Sequence, residues 1–310
     1  MKFAFVFPGQ GSQSVGMMSA YGESGTLRRT FDEASSALGR DLWRLVCEGP
    51  EEALNQTINT QPLMLTAGIA VFRLWQEKGG RMPSLMAGHS LGEYTALVAA
   101  GVVPFADAVT LVELRARAMQ EAVAVGQGAM AAILGLDAAA VRAVCEQSAQ
   151  GQVVEPVNFN TPEQTVIAGH TAAVQRAAEA AKARGAKRAV MLPVSAPFHC
   201  SLMKPAAERL RLKLEDMPFS APQIPVLNNV DVVCLSDPRA IKDALVRQAA
   251  SPVRWVETMQ AMADRGIGCV YECGPGKVLA GLAKRCAGGL IGSPIADLAG
   301  LEAALAATNA

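Results

Sequence analysis

The segment Gly88-His89-Ser90-Leu91-Gly92 carries the sharpest chemical reading in this 310-residue chain. It fits G-x-S-x-G between a predicted strand, Leu85–Gly88, and a predicted helix, Leu91–Ala100, the setting of a nucleophile elbow. Such a turn is tight, so the residues two before and two after the serine must be small. The hydroxyl then projects into a cleft, and the Leu91 N–H can face a developing oxyanion. A glycine-rich strand-to-helix turn with a capping serine is spelled the same way, so the pentapeptide does not decide alone. A serine nucleophile also needs a base, and the chain has three histidines, His89, His170 and His199. His89 adjoins Ser90, and neighbouring side chains on a sharp turn diverge. His170 precedes a helix and fits a surface or capping place. His199 lies in Pro193-Val194-Ser195-Ala196-Pro197-Phe198-His199-Cys200, a loop stiffened by two prolines, with a helix starting near Leu202. It is the best candidate base; the alternative is a buried histidine satisfied by backbone groups.

Arg115 stands out on helical arithmetic. On the predicted helix Phe105–Val123 its neighbours three and four positions away are Leu111, Val112, Ala118 and Met119, all apolar. Arg117 instead faces Glu113 and Glu121, as an ordinary salt-bridged surface residue would. A permanent charge on an apolar face is costly unless an anion meets it. The partner is either a bidentate ligand carboxylate or a distant Asp or Glu of the chain. Two glycine-rich loops also follow strands. Gly9-Gln10-Gly11-Ser12-Gln13-Ser14 nearly matches G-x-G-x-x-G, but Ser14 replaces the last glycine. A dinucleotide site is therefore weakly supported, and the loop can instead bring backbone N–H groups to a reacting carbonyl. Cys273-Gly274-Pro275-Gly276-Lys277 is not a Walker A sequence. It reads as a structural turn, with phosphate contact through the helix N-terminus and Lys277 as the alternative.

These residues need elements to hold them. Strands are predicted at Phe3–Phe7, Leu85–Gly88 and Gly268–Glu272, with helices at Thr26–Leu38, Pro62–Gln76, Leu91–Ala100, Phe105–Val123 and Gly276–Arg285. That is an α/β pattern with a parallel sheet. The middle differs. Ala129–Leu134, Val153–Asn158, Thr165–Ala168 and Arg188–Pro193 read as strands, with helices at Ala138–Gln150 and Thr171–Arg184. Strand-helix-strand-strand-helix-strand is the order of a ferredoxin-like unit. The expected fold is α/β: a hydrolase-like large subdomain of residues 1–125 and 195–310, with parallel sheet and nucleophile elbow, and an inserted small ferredoxin-like subdomain of residues 126–194.

Composition bounds the partners. Lys plus Arg and Asp plus Glu are 28 each, so the formal net charge is zero, and hydrophobic residues make up 51% against 18% charged. This excludes a disordered chain and argues against a general nucleic-acid binder. The seven cysteines are scattered without a CxxC, which is neither a disulfide framework nor a zinc pattern, so no metal is expected. The longest apolar run, Ala96–Ala106, is too short to span a membrane and carries Gly101 and Pro104. The expectation is a soluble cytoplasmic protein without nucleic-acid or membrane partners.

Taken together, the motifs resemble the malonyl-CoA:acyl carrier protein transacylases of bacterial fatty-acid synthesis. The matching segments include Phe5–Gln13, Thr60-Gln61-Pro62, Gly88–Tyr94, Arg115, Asn158-Phe159-Asn160, the His199 segment, Asn228-Asn229-Val230, Gln248 and Glu272–Gly276, and so run through nearly the whole chain. The resemblance implies that Ser90 attacks the malonyl thioester of coenzyme A and that His199 moves the proton. It implies that the N–H groups of Gln10 and Leu91 form the oxyanion hole and that the Gln248 backbone carbonyl, rather than an Asp, holds the histidine. Arg115 would clamp the malonyl carboxylate, and Gln61 and Asn160 would line the cleft. Phe198, where many bacterial relatives have Ser, resembles malonyl-selective domains of polyketide synthases and would crowd a methyl branch. No cofactor is implied, malonyl-CoA being a substrate. The acyl carrier protein, acidic as a family, would meet Lys182, Arg184, Lys187 and Arg188 on the small subdomain and Lys277, Lys284 and Arg285 on the large one. The rival readings are a serine esterase or thioesterase, an acyltransferase serving a polyketide synthase, and a non-catalytic carrier-binding module.

Overall fold

The computed structural model describes residues 2–309. Its nine strands are β1 (Phe3–Phe7), β2 (Leu85–Gly88), β3 (Gly128–Leu134), β4 (Val154–Thr161), β5 (Gln164–His170), β6 (Arg188–Met191), β7 (Val226–Leu227), β8 (Cys269–Cys273) and β9 (Ile291–Ile295). They form a five-stranded sheet of order β7-β2-β1-β8-β9 and a four-stranded sheet of order β4-β5-β3-β6. Every pairing in the first is parallel and every pairing in the second antiparallel. The α/β expectation, with a separate small ferredoxin-like sheet, is borne out.

The parallel sheet is covered on both faces, as parallel sheets require. Along β1 the large residues Phe3, Phe5 and Phe7 face one core with Phe72, Trp75 and Tyr271. Ala4 and Val6 face the other, with Ala87, Val270, Trp255 and Met259. The period of two in a five-residue run thus sorts bulky from small side chains between two layers of helices. The small sheet has its own core of Ala131, Ile133, Val141, Val144, Ile167 and Val174.

The sheets are tied where the site lies. Phe159 N donates to Val253 O at 3.0 Å and Val253 N to Val157 O at 2.8 Å, so β4 continues onto the large layer. Glu155 accepts from Ser201 N and Ser201 Oγ at 2.8 and 2.7 Å, and the Cys286 thiol donates to Asn160 O at 3.1 Å.

One helix start differs from expectation. The helix predicted to begin at Pro62 runs from Thr57 to Glu77, with Pro62 inside it. Proline leaves the carbonyl four residues earlier without its N–H partner. That carbonyl belongs to Ile58, and Arg40 Nη2 donates to it at 3.1 Å. A distant side chain supplies the donor that proline lacks, and the helix gains the first turns that carry Thr57 and Gln61. No described helix is long and apolar enough to cross a membrane.

Candidate active site

Ser90 sits at the end of β2 with φ 54° and ψ −110°, a backbone strain that nucleophile elbows share. Both flanking glycines are required. A Cβ on Gly88 would lie 1.8 Å from Gly92 C, and one on Gly92 would lie 2.0 Å from Phe7 O. Asn229 staples the turn from outside: its Oδ1 accepts from Ser90 N and its Nδ2 donates to Gly88 O, both at 2.8 Å.

The structure brings His199 to Ser90, with Nε2 2.6 Å from Oγ. His199 Nδ1 lies 2.9 Å from Gln248 O. A carbonyl only accepts, so Nδ1 carries the proton and Nε2 faces the serine hydroxyl as acceptor. Burial, then the positive charge of Arg115, pushes the imidazolium down to about 3, so His199 is neutral at pH 7. His199 has φ 65° and is held between ordered groups: Pro197 sits on Gly128, where a Cβ would meet it at 2.4 Å, and Glu155 binds Ser201.

Arg115 is buried, and burial works against its charge. Nη1 donates to Gln61 Oε1 at 2.8 Å, and Nη2 donates to Gln248 Oε1 at 3.0 Å and to Ser90 Oγ at 3.2 Å. The guanidinium lies 5.2 Å from the Tyr94 ring centroid. All three acceptors are neutral, and none of the ion pairs among the described residues includes Arg115. The internal ion pair that the sequence left open is absent there, so a permanent cation stands beside Ser90 Oγ.

The loop after β1, which carries Gln10, closes onto the turn at Leu91, and both residues line one cavity. Gly9 allows this, since a Cβ there would lie 2.6 Å from His89 O and 3.9 Å from Leu91 N. Leu91 is the first residue of its helix, whose N–H has no intrahelical acceptor. Gln10 Nε2 donates to Thr57 Oγ1 at 3.1 Å, fixing the loop. Together these residues bound a cavity of about 130 Å³ in which Phe198 and Met130 also stand. That is well below the roughly 300–1,000 Å³ of drug-sized ligand sites, so it admits the acyl end of a ligand rather than the whole.

Some placements differ from the sequence reading and others agree with it. Asn160 does not line the cavity: its Oδ1 lies 2.8 Å from His89 Nε2, and Asn158, two residues earlier on the same strand, lines it instead. His89, as expected of a neighbour on a sharp turn, turns from Ser90 and packs edge-on to Trp255. His170 stands at the N-cap of the helix Thr171–Ala183, as expected, but its side chain makes no cap bond; its Nδ1 instead accepts from Val153 N at 2.9 Å. Arg117 is exposed but not salt-bridged as expected, because Glu113 pairs with Arg40 and Glu121 with Arg209. The helix after Cys273–Lys277 has its N-terminus filled by Glu272, whose Oε2 accepts from Ala280 N at 2.8 Å, which leaves that loop as a structural turn.

Sequence reasoning missed Glu93, Asn229 as a staple, and the side chain of Gln248. Glu93 stands three residues after Ser90, the spacing of a capping box, yet the Ser90 side chain makes no cap bond. Glu93 Oε2 instead accepts from Asn229 N and Gln248 Nε2, both at 2.9 Å. Burial pushes its carboxyl up to about 7.

Comparison with known proteins bears on this geometry. The acyl transferase domain family matches residues 4–289. The malonyl CoA-acyl carrier protein transacylase of Salmonella typhimurium is 58% identical over 305 residues, covering 98% of this chain and 99% of its own. The crystal structure of an acyl-carrier-protein S-malonyltransferase from Burkholderia pseudomallei superposes with a TM-score of 0.97 at 60% identity, covering 99% of this chain and all of that one. A malonyl-transacylase solved in complex with a type II polyketide synthase acyl carrier protein gives 0.98 at 54% identity, covering 99% of this chain and 100% of its own.

Proposed function

The chain belongs to the malonyl CoA-acyl carrier protein transacylases of the acyl transferase domain family, and from that premise we propose how its residues perform malonyl transfer. It is an acyltransferase that moves the malonyl group of malonyl-CoA to an acyl carrier protein. Ser90 Oγ attacks the thioester carbonyl while His199 Nε2 takes its proton. The oxyanion falls to the N–H groups of Gln10 and Leu91. The C–S bond breaks, and the departing coenzyme A thiolate receives the proton from His199. A malonyl ester on Ser90 remains. The carrier's phosphopantetheine thiol then gives His199 its proton and attacks the ester, which returns Ser90 to its hydroxyl form. No step needs a cofactor.

Arg115 decides which acyl group is held. A malonyl group places a carboxylate two carbons from the reacting carbonyl, within reach of a guanidinium that already touches Ser90 Oγ. Phe198 crowds the same cavity and favours malonyl over methylmalonyl, by the small margin that one methyl allows, about 1–3 kcal/mol. A cytoplasmic site of action agrees with seven cysteines that are all free.

The observation that carries this reading is the convergence of His199 Nε2 at 2.6 Å and Arg115 Nη2 at 3.2 Å on one serine oxygen. Mass spectrometry after mixing with malonyl-CoA should find malonyl on Ser90, discharged by holo carrier protein. Arg115→Ala should weaken malonyl transfer far more than acetyl transfer; equal losses refute the clamp. Methylmalonyl turnover equal to malonyl turnover refutes the role of Phe198. A carrier from polyketide synthesis is the second reading, because the relative solved with such a carrier is 54% identical. Parallel kcat/KM values with a fatty-acid and a polyketide carrier separate the two. A hydrolase would release free malonate without acceptor. It would also ordinarily hold its histidine with an acid, where this one has the Gln248 carbonyl.

A further inference from the structure

One buried acid beside the nucleophile has no part in the transfer steps. Glu93 lies in the first turn of the helix Leu91–Ala99, and its Oε2 accepts from Gln248 Nε2 at 2.9 Å. An amide side chain has one donating end and one accepting end. A carboxylate at the nitrogen end fixes which way round Gln248 lies. The nitrogen also donates to Ser90 O at 3.0 Å, and the oxygen meets Arg115 Nη2 at 3.0 Å. Turned over, the amide would set its oxygen against the carboxylate and Ser90 O, and its NH₂ against the guanidinium. All three contacts would become repulsive.

The arrangement solves a conflict at Arg115. A buried guanidinium needs anchoring, but a direct carboxylate partner would occupy the face that a ligand carboxylate must take. The Gln248 amide between Glu93 and Arg115 orients the cation through a neutral oxygen and leaves its charge free. Gln61 Oε1, another neutral oxygen, anchors the other nitrogen at 2.8 Å.

We infer that Glu93 is a positioning residue for acyl selection: it locks the Gln248 amide and thereby presents Arg115 to a carboxylate-bearing acyl group. This rests on the reading of Arg115 as the malonyl clamp. The role needs an acceptor oxygen at position 93, not a charge, because both neighbours donate to the same oxygen.

The test is the ratio of kcat/KM for malonyl-CoA to that for acetyl-CoA, with holo carrier protein as acceptor. Glu93→Ala should lower the ratio roughly tenfold or more, the scale of a hydrogen bond to a charged group. Glu93→Gln, which keeps an acceptor oxygen, should hold it within about threefold. Gln248→Met, which removes the amide but keeps the backbone carbonyl, should match Glu93→Ala, and the double variant should be no worse than either. If Glu93→Ala does not fold, Glu93→Met fills the space without an acceptor and takes its place. Equal loss of malonyl and acetyl transfer in Glu93→Ala overturns the inference, as does full loss of selectivity in Glu93→Gln or additivity in the double variant. Arg115→Ala keeps the two readings apart. If it loses both acyl groups equally, the clamp itself fails. If it is selective and Glu93→Ala is not, only the role of Glu93 falls.

Discussion

In the proposed mechanism the proton of Ser90 passes to His199, and the surroundings of His199 decide at which pH it can be accepted. Burial and the neighbouring guanidinium hold the imidazole well below its ordinary range, to about 3. A base of this kind stays neutral across the range in which an exposed histidine titrates. The single-turnover rate of Ser90 acylation should therefore stay flat between about pH 8 and 5 instead of falling with a midpoint near 6.5. Glu93, pushed up to about 7, titrates inside the same window. Glu93→Gln separates the two, since a midpoint near 7 that vanishes in this variant belongs to the carboxyl. A midpoint near 6.5 that persists in it contradicts the desolvated base. The linkage to folding has a definite sign. The folded pKa lies below the unfolded one, so the unfolded chain binds the extra proton as pH falls from about 6.5 to 3, and His199 withdraws stability over that interval.

At the scale of elements, the elbow depends on backbone approach that only glycine permits. Gly92 lies in a helix at ordinary φ, so its requirement is purely spatial: the atom that a Cβ would strike at 2.0 Å is Phe7 O on β1, the centre of the parallel sheet. A sheet backbone does not yield as a side chain does. Gly92→Ala should cost several kcal/mol, above the usual overpacking range of about 1–3 kcal/mol, and the variant should unfold at much lower denaturant. Gly281 offers the contrast. It is exposed inside the helix Val278–Cys286, and a Cβ there meets nothing within 4 Å. Gly281→Ala should stabilise the protein by about 0.5–1 kcal/mol. Thermal melts of the two variants check both signs. The same contrast explains which parts of the molecule were legible beforehand. The short apolar runs of β1, β2 and β8 announced themselves by composition, and G-x-S-x-G by spacing, because both are local. Strand β7 is two residues long and β9 reads Ile-Gly-Ser-Pro-Ile, so neither has a local signature; neighbouring strands make them strands. Asn158 and Asn160 stand two residues apart on β4, whose pairing with β5 shifts register around them, and Asn160 is turned to His89 while Asn158 lines the cavity. Glu93 and Gln248 meet across 155 residues, a pairing that no spacing rule reaches.

For the whole molecule, the balance of 28 basic and 28 acidic residues removes any global field, so a charged carrier must be steered by local ones. The cavity is lined from both layers, by Ser90 and His199 on one side and by Met130 and Leu192 on the other. A carrier whose prosthetic arm enters there meets both subdomains. Lys182, Arg184, Lys187 and Arg188 are exposed on the small one, and Lys277, Lys284 and Arg285 on the large one. They are not equally free. Arg285 Nη2 donates to Thr161 Oγ1 at 3.3 Å across the junction of the sheets, and Lys187 lies 3.7 Å from Glu163. Arg184 Nη2 likewise donates to Gln147 Oε1 at 3.4 Å. Lys277 and Lys284 on one layer, and Lys182 and Arg188 on the other, are therefore the better probes of docking. Reversing either pair to Glu should raise KM for the carrier severalfold and flatten its dependence on salt, since exposed charges act through a screened field with a range of about 8–10 Å. Acylation of Ser90 by malonyl-CoA should not change, because none of the four lines the cavity. If neither pair moves the carrier's KM, these residues are ordinary solvated surface and the carrier docks elsewhere. If one pair alone moves it, the carrier docks on that subdomain and its arm crosses the cavity mouth to reach Ser90.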